Sequence, residues 1–219
     1  MRLPTVPFWI PWLFKHHLWQ GPQRDDHGQP AVYLTFDDGP IPEVTPWVLD
    51  ELAAAKAKAT FFCIGDNACK HPELVAAILK QGHALGNHTQ NHCKGTETDT
   101  QTYVDNALAF HTKTGIQTKL FRPPYGKLSG SQARALKKRG YTLVMWSLLS
   151  YDWDKSFSPE KIQSVLRKNV QPGSIVVFHD SLKAENNLRQ VLPNFLSALN
   201  DMGLVMLPLK ESKLSGNWA

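Results

Sequence analysis

Short apolar runs alternate with longer segments of helical periodicity along the chain from residue 31 onward. The apolar runs predict seven strands, at 31–36, 59–65, 83–87, 119–121, 141–147, 174–179 and 204–209. Amphipathic segments between them predict helices at 45–57, 72–81, 98–113, 130–139, 159–169 and 187–202. Repeated strand–helix alternation is typical of βαβ units, and strands that are apolar on both faces are typical of a parallel sheet covered by helices. The pattern therefore predicts one α/β domain.

The residues before the first strand have a different character. Three prolines interrupt an apolar, aromatic-rich segment, "MRLPTVPFWIPWLFKHHLWQ". These breaks leave no clean signal peptide and no apolar stretch long enough to span a membrane. We expect residues 1–30 to form an arm that packs on or flanks the domain, although an interfacial membrane anchor fits the same pattern. The domain itself is expected at 31–210, followed by a C-terminal tail at 211–219.

Composition and charge exclude several classes of protein. The chain has 219 residues, 42% of them hydrophobic, and a formal net charge of +5. Its lysines and arginines are scattered, whereas a nucleic-acid-binding surface concentrates them, so we expect no nucleic-acid partner. The three cysteines, Cys63, Cys69 and Cys93, form no CxxC pair, which argues against a disulfide framework or a structural zinc site.

Polar residues that could take part in catalysis or metal binding fall at the ends of the predicted strands. In parallel α/β folds the carboxyl ends of the strands gather at one face, which is where chemistry usually occurs. Five segments have this position: Asp37-Asp38, "NHTQNH" (87–92), "RPPYG" (122–126), "SYDWD" (150–154) and His179-Asp180. We therefore expect five loops to converge on one site.

Two histidines and two aspartates in these segments predict a metal site. His88 and His92 are four residues apart, which places two imidazoles on one face of a helical turn. Two imidazoles and one carboxylate form a three-ligand site that leaves room for water or substrate. Adjacent strand residues point in different directions, so one of Asp37 and Asp38 can bind the cation while the other accepts a proton from water that the cation acidifies.

Together these segments resemble the motifs of a known family. "TFDDGP", "HTQNH", "RPPYG", "YDW" and "VFHD" occur in the family order of the polysaccharide deacetylases of carbohydrate esterase family four, the NodB-homology domain. The resemblance covers residues 31 to about 209. It implies a distorted (β/α) barrel of about seven parallel strands with outer helices. It also implies a metal-dependent hydrolase that removes acetate from N-acetylglucosamine-type sugars, such as chitooligosaccharides or peptidoglycan.

The resemblance also implies roles for individual residues. Asp37 would be the base, with Arg122 as the partner that orients it. The metal ligands would be Asp38, His88 and His92, and the Tyr125 backbone N–H would donate to the oxyanion. His179 would be the general acid, and Asp152 the carboxylate that orients and charges it. Expected substrate contacts are Pro123, Tyr125, Trp153 and Leu149, with Leu148 as an alternative to Leu149 near the acetyl methyl group.

Some residues depart from the family pattern or have an ordinary explanation. Many relatives carry Asp-x-x-Asp-Trp in the fourth motif, whereas Leu149 occupies the first position here, which puts the support of the acid in doubt. Trp146 and Trp153 are more typical of a core than of a glycan platform. Asp180 fits either a helix cap or a partner of the site residues.

Partners and alternatives follow from this chemistry. We expect one divalent cation, with zinc as the first choice and cobalt or nickel also compatible with these ligands. We also expect an N-acetylated glycan as the substrate and a monomeric protein. A metallohydrolase of other acyl esters or non-peptide amides is an alternative, as is a silent glycan-binding module, which the full set of site residues disfavours. The substrate class favours the cell envelope or the exterior, and the sequence alone assigns no compartment.

Overall fold

The structure, a computed structural model, describes residues 4–211. The start of the expected arm (1–3) and the expected tail beyond Glu211 lie outside these residues. The strands, in chain order, are β1 (Ala31–Asp37), β2 (Ala59–Cys63), β3 (Ala84–Asn87), β4 (Leu120–Phe121), β5 (Thr142–Leu143), β6 (Leu148–Leu149), β7 (Ile175–His179) and β8 (Val205–Met206).

Seven of these strands form one curled parallel sheet in the order β5-β4-β3-β2-β1-β7-β6. β1 lies at its centre, with Asp37 in register with Phe62 of β2 on one side and with His179 of β7 on the other. β8 pairs in parallel with the first two residues of β1. The prediction of a single-domain distorted barrel of about seven parallel strands is confirmed.

Eight helices surround the sheet within the described residues. They are α1 (Trp9–Leu13), α2 (Thr45–Ala54), α3 (Gly65–Lys70), α4 (Pro72–Lys80), α5 (Thr100–Thr114), α6 (Gly130–Lys138), α7 (Pro159–Asn169) and α8 (Glu185–Asp201). Local signals explain several of their ends: Asp99 and Ser158 cap α5 and α7 through their side chains, and Gly115 ends α5 with a left-handed φ of 73°. Such residues satisfy backbone groups that have no partner inside the helix.

Three predicted strands are wrong in extent. The strand expected at 204–209 is paired as β8 only over Val205–Met206. The strand expected at 59–65 ends at Cys63, because Gly65 begins α3. The strand expected at 141–147 is paired as β5 only over two residues, and β6, which was not predicted, follows after a break. In the break, the carbonyls of Val144 and Met145 accept hydrogen bonds from Arg122 instead of from a neighbouring strand.

The main core lies between the central strands and the helices that cover them. Phe36 of β1 stacks on Phe61 of β2 at 5.1 Å and on Phe178 of β7 at 5.8 Å between ring centroids. All three rings are buried. Tight packing of such large apolar groups holds the three central strands in a fixed register, and the site residues follow directly from their ends.

The arm contacts both edges of the curled sheet. The Leu149 N–H of β6 donates to the Pro4 carbonyl at 2.9 Å. Further along the arm, the Leu18 N–H donates to the Leu143 carbonyl of β5 at 2.8 Å, and the Met145 N–H donates to the Leu18 carbonyl at 2.7 Å. The arm therefore joins the two edge strands and provides partners for backbone groups that an open sheet would expose. Across residues 4–211, no helix combines the length and apolar character that a bilayer crossing requires.

Candidate metal centre and active site

A cavity of about 530 Å³ opens at the carboxyl ends of the strands. Residues from all five predicted segments or their neighbours line it: Asp37, Asp38, His88, His92, Tyr125, Gly126, Lys127, Trp146, Leu149, Trp153, Val177, His179 and Lys183. The parallel sheet explains this convergence, because every strand delivers its following loop to the same face.

Asp38, His88 and His92 form a cluster at the base of this cavity. The Asp38 Oδ1 lies 3.3 Å from His92 Nε2 and 3.7 Å from His88 Nε2. Tetrahedral zinc with ligand bonds of about 2.0–2.2 Å holds its ligand atoms about 3.4 Å apart. Within residues 4–211, this trio is the group of acidic, histidine and cysteine side chains whose donor atoms converge closely enough to hold a metal ion. Its geometry and donor set fit a divalent cation.

The protonation of His88 suits a ligand. Its Nδ1 lies 2.8 Å from the Arg122 carbonyl, which can only accept, so Nδ1 carries the proton and Nε2 keeps a lone pair directed toward Asp38. Burial lowers the pKa of His88 to about 4, so the ring is neutral at physiological pH. Burial by itself would raise the pKa of Asp38, but the hydrogen bond with His92 and the nearby histidine charges lower it, so the carboxylate stays ionised.

The loops that carry these ligands have left-handed residues. The φ angles are 82° at Asp38, 65° at Thr89 and 60° at His92, values that residues other than glycine rarely adopt. The Asn87 side chain stabilises the second loop, since its Oδ1 accepts from the Thr89 N–H at 2.7 Å and its Nδ2 donates to a carbonyl of α5. The helical turn expected at 88–92 is therefore wrong, and a strained loop brings His88 and His92 together instead.

Asp37 lies beside the trio and pairs with a buried arginine. Arg122 Nη1 lies 2.7 Å from Asp37 Oδ1 and 2.7 Å from Thr35 Oγ1. Its remaining nitrogens donate to the carbonyls of Val144 and Met145. The guanidinium is fully buried, and these partners fix its position, so it holds Asp37 in one orientation toward the cavity.

His179, which lines the same cavity, forms a second pair with Asp152. His179 Nδ1 donates to Asp152 Oδ1 at 2.9 Å, and the His179 backbone N–H donates to Oδ2 at 2.8 Å. Burial alone would lower the pKa of His179, but the charge and hydrogen bond of Asp152 outweigh it and raise the pKa to about 9. The imidazole is thus protonated at neutral pH. The Trp153 ring packs edge-on against it, 4.5 Å between centroids.

Asp180 supports the loop that follows Asp38. Its carboxylate accepts from the Gly39 N–H at 3.1 Å and from the Thr45 hydroxyl at 2.6 Å. A Cβ at residue 39 would lie 2.0 Å from this carboxylate, so only glycine fits there. Burial raises the pKa of Asp180 to about 8. Of the two interpretations left open, the structure places Asp180 as a partner of the site loops.

The expected substrate contacts fall into two groups. Tyr125, Trp153 and Leu149 line the cavity, whereas Pro123 is buried behind it and Leu148 packs in the main core. Trp153 is half-buried with its ring at the cavity, so the expectation that it is a core residue is wrong.

Trp146 packs against the core cluster that contains Leu18 and Val144, as expected, and it also lines the cavity. Other residues at the site were not anticipated. Trp146 is half-buried. Two exposed lysines, Lys127 and Lys183, also line the cavity. Thr35 was missed as a support of Arg122, although its position two residues before Asp37 on the same strand face was a usable signal. For the lysines no such signal existed, since nothing in their segments distinguishes them from surface lysines.

Comparison with known proteins identifies relatives that belong to one family. The family model for polysaccharide deacetylase matches residues 24–144. A peptidoglycan-N-acetylglucosamine deacetylase of Bacillus cereus is 34% identical over 198 residues, covering 88% of this chain and 91% of the relative. A chitooligosaccharide deacetylase of Sinorhizobium fredii is 32% identical over 204 residues, covering 86% of this chain and 94% of the relative. The chain spans 64% of the length of another B. cereus peptidoglycan-N-acetylglucosamine deacetylase.

Solved structures agree with these sequence relatives. The crystal structure of the Bc1960 peptidoglycan N-acetylglucosamine deacetylase, in complex with an N-hydroxybenzamide, superposes with a TM-score of 0.82 at 30% identity. The match covers 93% of this chain and 95% of that chain. The motif order, the converging loops and these comparisons together establish that the chain belongs to the polysaccharide deacetylase family, carbohydrate esterase family four.

Proposed function

We propose that this chain is a metal-dependent N-deacetylase that hydrolyses the acetamide of N-acetylglucosamine-type sugars and releases acetate. Asp38, His88 and His92 hold one divalent cation, with zinc the best match to two imidazoles and a carboxylate. Such a cation, when bound, supplies Lewis acidity that makes water more nucleophilic and withdraws charge from the amide oxygen.

One observation carries the proposal. Two groups with different buried partners flank the ligand trio in one cavity. Asp37 is a carboxylate held by a buried arginine, and His179 is an imidazole kept protonated by a buried carboxylate. Hydrolysis of an amide needs both a base that accepts a proton from water and an acid that protonates the leaving nitrogen. Surface histidines and aspartates without these partners would not be poised in opposite protonation states.

The residues then act in order. Asp37 accepts the proton of the attacking water, and the new C–O bond forms at the acetyl carbon. The Tyr125 backbone N–H stabilises the negative charge that develops on the carbonyl oxygen. His179 donates its Nε2 proton to the sugar nitrogen as the C–N bond breaks, which leaves a free amine and acetate, and Asp152 holds the imidazole in the orientation that directs Nε2 into the cavity.

Apolar side chains at the same cavity suit the acetyl group. Leu149 and Trp153 line it on the side of His179, and both present apolar surface that a methyl group can bury. Leu149 replaces an acidic residue of many relatives, yet Asp152 already holds His179 through two hydrogen bonds. We therefore infer that the acid does not depend on a carboxylate at position 149.

Acetate release from a substrate panel tests the function. The panel consists of N-acetylglucosamine oligomers, N-acetylated peptidoglycan and a simple acetyl ester, each assayed with the zinc-loaded protein, the chelated protein and the chelated protein after zinc is restored. We expect release from at least one glycan, a loss of about a hundredfold or more on chelation, and recovery with zinc. Chelated protein that retains full activity would rule out the metal. Turnover of the ester alone would indicate the other acyl hydrolase.

A further inference from the structure

A second cavity of about 800 Å³ lies beside the active site and shares part of its wall. Tyr125, Gly126, Lys127, Trp146 and Leu149 line both cavities. Small-molecule sites typically have volumes of about 300–1,000 Å³, so the second cavity has the size of a site in its own right. A ligand bound at the active site can therefore extend past Tyr125 and Trp146 without leaving the protein surface.

The arm forms the outer wall of this second cavity, which we call the arm groove. Trp9, Ile10, Phe14, His17 and Trp19 line it from the arm. The opposite wall consists of the segment between the 3-10 turn at Pro124–Gly126 and the first turn of α6. Because backbone hydrogen bonds hold the arm at Pro4 and at Leu18, on either side of α1, this wall is fixed at both ends.

The chemistry of the arm groove suits a neutral sugar. Its lining combines aromatic rings with the hydroxyl groups of Thr5, Thr96 and Ser129, and it includes no aspartate or glutamate. One face of a pyranose ring presents C–H groups that pack on the electron-rich face of an aromatic ring, while its hydroxyls need polar partners. Trp9 and Phe14 remain 49% and 51% exposed, so their rings are available to a ligand.

We propose that the arm groove is an accessory glycan-binding subsite, which holds sugar residues that flank the acetylated sugar in the active site. This inference rests on the proposed function, because it takes the occupant of the active site to be a glycan chain. The five residues that line both cavities place the groove within reach of the same glycan chain. Substrates long enough to reach the groove bind more tightly than short ones, and the arm sets this preference.

The same arm offers a matched control. Phe8 and Trp12 are 90% and 68% exposed and do not line the groove. Substitution of these two residues removes as much aromatic surface from the same helix as substitution of Trp9 and Phe14. If the arm served to dock on a lipid surface, Phe8 and Trp12 would be the residues that matter.

The test compares Trp9→Ala/Phe14→Ala with Phe8→Ala/Trp12→Ala. Binding of the N-acetylglucosamine dimer and hexamer is measured by calorimetry, and binding to anionic phospholipid vesicles by sedimentation, with thermal unfolding as a check of the fold. We expect the first pair to weaken hexamer binding about tenfold or more, to leave dimer binding unchanged, and to raise KM for the hexamer with kcat unchanged. The second pair should match the wild type.

A third variant keeps the test informative if the first pair unfolds. Gly130→Leu narrows the groove from the opposite wall, where a Cβ meets only the end of the flexible Arg134 side chain at 3.4 Å, and it should also weaken hexamer binding selectively. Equal hexamer affinity in both pairs or no preference of the wild type for hexamer over dimer would overturn the subsite. Unchanged hexamer affinity in the first pair together with vesicle binding lost only in the second pair would assign the arm to a lipid surface instead. Absence of acetate release from every substrate would refute the proposed function instead, since the binding comparison does not depend on turnover.

Discussion

Asp37 and Asp38 are neighbours in the chain and have different surroundings. Asp37 is the last residue of β1, so its side chain follows the alternation of the strand and points to the same side as Thr35, toward Arg122. Asp38 has a φ of 82°, which turns its carboxylate away from that arginine and toward His88 and His92. The backbone turn thus separates the two charges, since Asp37 faces the Arg122 guanidinium and Asp38 faces the two imidazoles.

This separation predicts opposite effects of two matched substitutions. Asp37→Asn should keep bound zinc and lower kcat by about 10²–10⁴-fold, because it removes a base but no ligand. Asp38→Asn should lose zinc. Elemental analysis and acetate release from the same preparations measure both effects. Retention of zinc by Asp38→Asn with its loss in Asp37→Asn would reverse the assignment.

At the scale of elements, the proposed acid, His179, depends on contact between the loop after β6 and the end of β7. Asp152, in that loop, binds both the ring and the backbone N–H of His179, so the position of one element determines the protonation of a residue on another. Since the pKa of His179 is raised to about 9, its proton is present at neutral pH and is lost as pH rises through about 9. Activity should therefore fall on the basic side near that pH.

Asp152→Asn should move this basic limb to lower pH. The amide oxygen can still accept from His179 Nδ1, but without the carboxylate charge the effect of burial prevails, and the pKa of His179 falls toward or below its ordinary value of 6.5. We expect kcat/KM at pH 8 to drop about tenfold or more while zinc content stays constant. A pH profile of kcat/KM for both proteins measures the shift, and an unchanged basic limb would remove Asp152 from this role.

At the scale of the whole molecule, the arm completes a sheet that does not close on itself. β5 and β6 are the two edges, and the arm pairs with one near Leu18 and with the other near Pro4. The same region supports the site, because the Met145 N–H binds the Leu18 carbonyl while the Met145 carbonyl binds Arg122. The position of the buried arginine is thus linked to the docking of the arm.

Leu18→Ala should therefore destabilise the whole fold. Leu18 is buried, and loss of such a side chain lowers the free energy of unfolding by about 2–5 kcal/mol. Leu13→Ala, on the same arm but 57% exposed, should change it by no more than about 0.5 kcal/mol. Chemical denaturation of the two variants measures the difference, and equal stability would show that the arm does not support the fold.

Much of the site was predictable because its residues lie at strand ends. Apolar runs located β1 and β3 closely, and in a parallel sheet their ends must lie at one face, so the aspartate pair and the two histidines, His88 and His92, could be grouped from the sequence. β6 was not predictable, because two residues carry too little periodicity to reveal a strand. The cavity contact of Trp146 was not predictable, because an apolar ring that lines a cavity and one that only packs in a core have the same sequence signature.

The sequence by itself determined the fold class, the family and the set of residues that meet at the candidate site, since all of these depend on local pattern and order along the chain. Tertiary structure decided which aspartate faces the histidines, how a strained loop brings His88 and His92 together, and where the arm lies. These features arise from contacts between residues far apart in the chain. Such contacts depend on packing and on the pairing of buried polar groups, which leave no periodic trace in the sequence.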